Sequence, residues 1–161
     1  MRQFALTEKI YAKRGLFILI SSLDALSVAA VVLSLCYTVA KKLILTDFIG
    51  TVSLLLTLAI PFLLVSIARR IINARRPYEI YDFGIEIKKK PGLSFPSRHV
   101  FSAFAIATAL LFESLPLGIC VFLCGAVLSA VRVLLGLHFV RDVLAGALLG
   151  VLGALIGTLV F

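Results

Sequence analysis

Residues 132–142 read RVLLGLHFVRD and connect two apolar runs, residues 116–136 and 140–161. Each run has the length of about 20 apolar residues that a helix needs to cross a bilayer. The connecting stretch nevertheless holds two arginines, a histidine and an aspartate. Ionisable groups are costly inside a membrane and tend to be kept where they have a function. The stretch therefore predicts two membrane-spanning helices with a polar site where they meet.

The rest of the chain has the composition of an integral membrane protein. Its 161 residues are 61% hydrophobic and only 15% charged, with a mean hydropathy of +1.14. Soluble domains are about half apolar and a quarter charged. Three further apolar runs, residues 16–40, 46–68 and 98–114, are candidate spans. We predict one all-α domain over residues 1–161, an integral membrane helical bundle of about five transmembrane helices.

Two segments lie outside the predicted spans. Residues 1–15 are basic and have the pattern of an interfacial helix, with a frayed tail as the alternative. The apolar side of this helix would consist of Phe4, Leu6, Ile10 and Tyr11. Residues 69–97 contain two prolines before Pro96, two glycines and three consecutive lysines, so this segment is predicted to be an active-site loop with at most a short helix.

Three polar clusters stand out, residues 69–77 (RRIINARRP), 96–99 (PSRH) and 132–142, and they hold both histidines and seven of the nine arginines. With five spans, the end of the second, the start of the third and the link between the last two face the same membrane surface. The clusters are therefore expected to form one site. Fourteen of the 16 Lys and Arg residues fall on this side, which favours the cytoplasmic face. Because several of them belong to the clusters, the charge balance leaves the face open.

The third cluster places His138 and Asp142 four positions apart, so that on a helix they would share a face. A carboxylate that binds one ring nitrogen fixes the tautomer and makes the other nitrogen more basic. Such a nitrogen can attack phosphorus and form a phosphoenzyme. Taken alone, the pair is more often structural, and Arg132 alone is as readily a snorkelling charge at the end of a span.

The second cluster opens a span with Ser97 and His99, where free backbone N–H groups attract an anion. Ser97 could cap the helix or bind a phosphate oxygen, and His99 could protonate a leaving oxygen. In the first cluster, Arg69 and Arg76 are about two helical turns apart and would share a face before Pro77 ends the helix. Two guanidiniums suit the oxygens of a phosphoryl group. The alternatives are an ordinary helix start and a basic collar at the membrane boundary.

The first two clusters resemble motifs of the type 2 phosphatidic acid phosphatases (PAP2), the membrane branch of a superfamily shared with the vanadium haloperoxidases. The first family motif is Lys, six residues, Arg-Pro, and here it reads Arg69, six residues, Arg76-Pro77. The second is Pro-Ser-Gly-His, and residues 96–99 read PSRH. Arginine thus stands in place of the usual Lys and of the usual Gly.

The third motif of that family is Ser-Arg, five residues, His, three residues, Asp. Here Arg132, His138 and Asp142 match it, with Val131 in place of the serine. The resemblance covers about residues 46–155. The family usually has six spans, and the N-terminal helix could stand in for the one not found here.

The resemblance implies a role for each matching residue. His138 would be the nucleophile, Asp142 would orient it, and His99 would be the acid for the leaving group. The residues that would bind the phosphate are Arg69, Arg76, Ser97, Arg98 and Arg132. The resemblance also implies a reaction without a metal or other cofactor.

The function predicted from these residues is hydrolysis of a membrane lipid phosphate or pyrophosphate through a phosphohistidine. Candidate substrates are prenyl pyrophosphates such as undecaprenyl pyrophosphate, phosphatidic acid and phosphatidylglycerol phosphate, in a bacterial plasma membrane. A phosphotransferase with a lipid or sugar acceptor and a non-catalytic lipid-binding membrane protein are the alternatives. The net charge is +8, and the basic residues flank apolar spans. The expected partners are therefore anionic lipids of the bilayer and not nucleic acid.

Small and acidic residues inside the spans allow two interpretations each. The spacing of Gly146, Gly150, Gly153 and Gly157 favours close helix packing, either within the bundle or across a homodimer. Asp24 and Asp47 are single acids near or within spans. They predict helix capping, snorkelling or an interhelical bond more than a site, since neither adjoins the clusters in sequence.

Overall fold

The computed structural model describes residues 4–83 and 91–161, and these parts are helical with no strand. The helices are α1 (Ala5–Ala12), α2 (Arg14–Ile44), α3 (Phe48–Ile72), α4 (Pro77–Ile80), α5 (Arg98–Glu113), α6 (Leu115–Leu134) and α7 (Val140–Val160). The predicted all-α fold is confirmed. Residues 84–90 of the predicted active-site loop, which include the three lysines, lie outside the described residues.

Four of the five predicted spans, α2, α3, α6 and α7, are helices long and apolar enough to cross a membrane. The chain is therefore a multi-pass membrane protein, as predicted. The third predicted span, α5, has only 16 residues, about 24 Å at 1.5 Å per residue. Nine of these residues are buried, because α2, α3, α6 and α7 all contact this helix. Its neighbours shield α5 from lipid, so its length need not match the bilayer.

The glycines of α7 bring its backbone against α5 and α3. A Cβ added to Gly150 would lie 2.4 Å from the carbonyl oxygen of Phe101. A Cβ on Gly146 would lie 2.6 Å from the carbonyl oxygen of Ser97, just before α5, whereas Gly153 and Gly157 face α3. These four glycines pack within the bundle, which confirms the first interpretation. They do not form a free face for the alternative, a homodimer.

Helix α1 lies over the loop between α6 and α7. Ile10 is buried in a cluster with residues of α2 and α6, and the Tyr11 hydroxyl donates a hydrogen bond to the carbonyl of Leu135 at 3.1 Å. Phe4 is also buried, whereas Leu6 is 59% exposed, so the bundle covers only part of the predicted apolar side. Eight residues extend only about 12 Å, and α1 therefore cannot stand in for a sixth span.

Ion pairs join the turns at the opposite end of the bundle. Asp47 accepts a hydrogen bond from the Gly50 amide at 2.9 Å and thereby caps α3. Its carboxylate also pairs with Lys42 at 2.9 Å, and Lys42 pairs with Glu113 at 3.0 Å. The prediction that Asp47 is a capping residue is confirmed.

Gly150→Ala is expected to lower the free energy of unfolding by about 1–3 kcal/mol, since the new methyl group meets backbone atoms that cannot move independently. Gly15→Ala is the matched control, because a Cβ there meets nothing within 4 Å. Thermal unfolding in detergent measures both. Equal melting temperatures for the two variants would contradict the close packing of α5 and α7.

Candidate active site

The three polar clusters meet at one end of the bundle, as predicted. The guanidinium of Arg69, at the end of α3, donates hydrogen bonds to the carbonyls of Leu93 and Pro96. The Ser97 amide donates to the carbonyl of Asp142 at 2.9 Å. Residues 91–97, which we call the site loop, are thus held between α3 and the start of α7.

The first cluster departs from its predicted geometry because α3 ends at Ile72. Asn73 follows in the left-handed region, with φ of 43°, which asparagine tolerates better than most residues. Pro77 begins α4 and does not end α3. The prediction that Arg69 and Arg76 share one helix face is therefore wrong.

Arg76 reaches the site from the link between α3 and α4. Its Nε donates to the carbonyl of Gly92 at 2.9 Å. One carboxylate oxygen of Glu79 accepts from the amides of Arg76 and Gly92, at 2.9 and 2.7 Å. These bonds attach the Arg76 segment to the site loop. The sequence pattern did not predict this role for Glu79.

Asp142 is fully buried and gathers three groups around one carboxylate oxygen, Oδ2. The Ser94 hydroxyl and the Phe139 amide donate hydrogen bonds to it, the latter at 3.0 Å. His138 Nδ1 lies 3.7 Å away, longer than a hydrogen bond. His138 precedes α7, which begins at Val140, so the prediction that the two residues share a helix face is wrong although their proximity is confirmed.

Ser94 is a site residue that the motifs did not reveal. Its hydroxyl is buried and lies 3.5 Å from His138 Nδ1, within reach of both the imidazole and the carboxylate. No local pattern marks it, because the contact joins the site loop to the loop before α7. Its position two residues before Pro96 is the only available signal.

The surroundings of His138 favour its neutral imidazole. Burial lowers the pKa of its ring, and the nearby Asp142 carboxylate opposes this effect only in part. The carboxylate favours the tautomer with its proton on Nδ1. Nε2 then carries the lone pair, which is the state that a nucleophile needs.

The start of α5 presents the second cluster to a cavity. Ser97 is the N-cap of α5, but its side chain makes no cap bond, and its buried Oγ has no hydrogen-bond partner among the described residues. Arg98 and His99 are exposed and line a cavity of about 310 Å³. The Arg98 guanidinium lies 5.7 Å from the ring centroid of Phe62. A buried hydroxyl, a guanidinium and an imidazole thus surround the N-terminus of α5, a favourable place for an anion.

Arg132 is 9% exposed and lies at the end of α6. Its Nε is 2.7 Å from the carboxylate of Asp24 in α2. The N–H does not point along this line, so both atoms lack a directional hydrogen bond and the contact is an ion pair. Asp24 therefore makes an interhelical contact, one of the interactions predicted for it, but the sequence did not indicate that its partner is a motif residue. In the described parts of the chain, no group of three or more His, Cys, Asp or Glu side chains could hold a metal ion.

The bundle and the site define a helical membrane phosphatase. The chain belongs to the PAP2 superfamily, whose model matches residues 50–161. The predicted resemblance is confirmed, and the matched segment contains all three motifs.

Two solved bacterial structures share this fold. One is the transmembrane PAP2 type phosphatidylglycerolphosphate phosphatase from Bacillus subtilis, with a TM-score of 0.73, 22% identity, and coverage of 97% of this chain and 82% of that one. The other is Aquifex aeolicus LpxE, with a TM-score of 0.61, 28% identity, and coverage of 91% and 94%. No curated protein sequence matches this chain.

The imidazole of His138 is expected to titrate below the value of about 6.5 that an unperturbed histidine shows. Asp142→Asn is expected to lower this pKa further, because the carboxylate favours the imidazolium. Nitrogen NMR in detergent micelles measures both. In His99→Ala the remaining imidazole signal belongs to His138, since the chain has two histidines. A His138 pKa above 6.5 in the wild type would contradict the effect assigned to burial, and a higher pKa in Asp142→Asn would contradict the effect assigned to the carboxylate.

Proposed function

We propose that the protein hydrolyses a phosphate or diphosphate ester of a membrane lipid, with a phosphohistidine intermediate at His138. The main observation in favour of a lipid substrate is the apolar cavity beside His99. The supporting facts are membership of the PAP2 superfamily and the cationic groups around the start of α5.

The cavity continues along α5 away from the polar end. Its walls are apolar side chains of α2, α3, α5 and α6. A second apolar cavity of about 220 Å³ shares Phe62, Ser102 and Ile106 with the first. The two form a groove that starts at His99 and runs beside the central helix. A lipid tail in this groove would hold its phosphate at Arg98 and His99.

The proposed reaction has two displacements. His138 Nε2 attacks phosphorus, the bond to the lipid oxygen breaks, and His99 donates its proton to that oxygen. Neutral His99 then takes a proton from water as the water oxygen attacks the phosphohistidine, which releases inorganic phosphate and restores both rings. Positive groups stabilise the equatorial oxygens. They are Arg69, Arg76, Arg98 and Arg132, and the neutral Ser97 hydroxyl adds a hydrogen-bond donor.

The headgroup is proposed from the same set of cations. Arg98 stands where the family has glycine, and its exposed guanidinium suits a second phosphate. Prenyl pyrophosphates such as undecaprenyl pyrophosphate therefore lead the candidates. Phosphatidylglycerol phosphate, which the name of the B. subtilis structure suggests, and phosphatidic acid complete the panel of substrates to test.

Replacing the proposed acid is expected to separate substrates by their leaving groups. His99→Ala should lower kcat by about 10²–10⁴-fold on a lipid phosphate, whose alkoxide needs a proton. The loss on an aryl phosphate should stay within about tenfold, because a phenolate leaves without one. His138→Ala should lose both activities. Phosphate release is measured with purified protein, and thermal unfolding controls for folding.

Equal losses on the two substrates in His99→Ala would contradict the acid role, and substantial activity in His138→Ala would contradict the nucleophile. Added alcohol acceptors test the alternative of a phosphotransferase, for which phosphorylated alcohol would exceed free phosphate. A wild-type protein without either product would support the non-catalytic alternative.

Filling the groove is expected to impair long-chain substrates selectively. Ser102 borders both cavities, so Ser102→Phe should raise KM for a long-chain lipid phosphate by about tenfold or more, while a short-chain analogue is affected less. Leu123→Phe is the matched control, since Leu123 is 63% exposed on α6. Equal effects of Ser102→Phe on both chain lengths would place the tail elsewhere.

A further inference from the structure

A carboxylate from α2 contacts the guanidinium of the third cluster, and nothing in the three motifs accounts for it. Asp24 Oδ1 lies 2.7 Å from Arg132 Nε, and the two side chains are 20% and 10% exposed. We infer that Asp24 is a positioning residue that holds the Arg132 guanidinium against the transferring phosphoryl group. The inference rests on the proposed function and deepens it.

The way in which Asp24 contacts the guanidinium supports this role. The carboxylate oxygen lies nearest Nε, the nitrogen at the base of the guanidinium, and its charge restrains the group from that side without taking up the Nε–H donor. A guanidinium binds phosphate oxygens best through two parallel N–H groups. An arginine restrained by an ion pair keeps its N–H groups in place for an anion, whereas an unrestrained side chain would have to be ordered when substrate binds.

The backbone of Arg132 also holds the loop that contains His138, the proposed nucleophile. Its carbonyl accepts from the amides of Leu137 and His138 at 3.0 and 3.3 Å. The ion pair therefore ties α2 to the residue from which the His138 loop starts. A displacement of about 1 Å at such a group can cost about 10²-fold in rate.

Asp24 lies outside residues 50–161, the segment that the family model matches. The motif arginine is thus positioned by a helix that carries no motif. A carboxylate this close could instead act only as a counter-charge. If Asp24 were only a counter-charge, removing it would strengthen anion binding. If it is a positioning group, removing it would weaken stabilisation of the transition state. The two roles therefore predict effects of opposite sign for the same substitution.

The test is a double-mutant cycle in kcat and KM for lipid phosphate hydrolysis. Asp24→Asn is expected to lower kcat by about 10–10²-fold with KM within about threefold, and Asp24→Glu should recover part of the loss. Asp24→Ala in an Arg132→Ala background should change kcat by less than about twofold, because the group through which it acts is gone. An unchanged or raised kcat in Asp24→Asn, or equal losses in both backgrounds, would overturn the inference.

Asp47→Asn is the matched structural control. It removes an acid from a helix cap and an ion pair at the opposite end of the bundle. Thermal unfolding reports its effect on stability, and its kcat should equal that of the wild type. If Asp24→Asn fails to fold, Asp24→Glu keeps the charge, and its kcat still reports the shifted guanidinium: a wild-type value would overturn the inference.

Orthovanadate binding separates this inference from the proposed function. Its five-coordinate adducts resemble the phosphoryl-transfer transition state, for which positioned groups matter most. The Kd for vanadate should rise about tenfold in Asp24→Asn and stay unchanged in Asp47→Asn. Should the wild type bind vanadate but hydrolyse no lipid phosphate, the proposed function fails while the vanadate comparison still decides the role of Asp24. An unchanged or lowered Kd for vanadate in Asp24→Asn would overturn the inference that Asp24 positions Arg132.

Discussion

The buried carboxylate of Asp142 is the interaction on which the site depends. A carboxylate removed from water must have compensating partners, since an unpaired buried charge is strongly unfavourable. Three partners of one carboxylate oxygen come from separate places: the Ser94 hydroxyl from the site loop, the Phe139 amide from the start of α7, and the His138 ring from the preceding loop. Arg141 Nε lies 3.6 Å from the other oxygen. Satisfying one charge therefore brings the separate motifs to one point. The Ser97 amide, bonded to the Asp142 carbonyl, adds the start of α5 to the same assembly.

Most of the architecture was predictable because it follows from hydropathy and from counting spans. Apolar runs of about 20 residues have few alternatives to a membrane helix. An even number of crossings between two clusters returns the chain to the same surface, which is why the meeting of the clusters did not depend on any family. Asp47 was likewise predictable in kind, because a cap is a local interaction between the residue and the next turn.

The remaining features arise from contacts between distant segments. The end of α3 at Ile72 depends on Asn73, whose side chain accepts from the amide of Leu93 at 3.3 Å across the site. The hydrophobic periodicity of α3 does not predict this helix end. Asp24 could not be assigned to the site because its partner is on α6. Val131 stands where the family has serine, and it is buried in an apolar cluster with Ile10 of α1. An apolar side chain at this position thus fits the way in which this chain packs its N-terminal helix.

The shortness of α5 has a consequence for where the chemistry occurs. Helices α5 and α6 share the turn at Ser114, and they have 16 and 20 residues respectively. Running back side by side from that turn, they end about 6 Å apart in height. The first turn of α5, with His99, is therefore recessed by roughly one helical turn below the rim formed by α6. The headgroup of a lipid bound as proposed would reach His99 from within its own leaflet, and its tail would never have to be pulled into water.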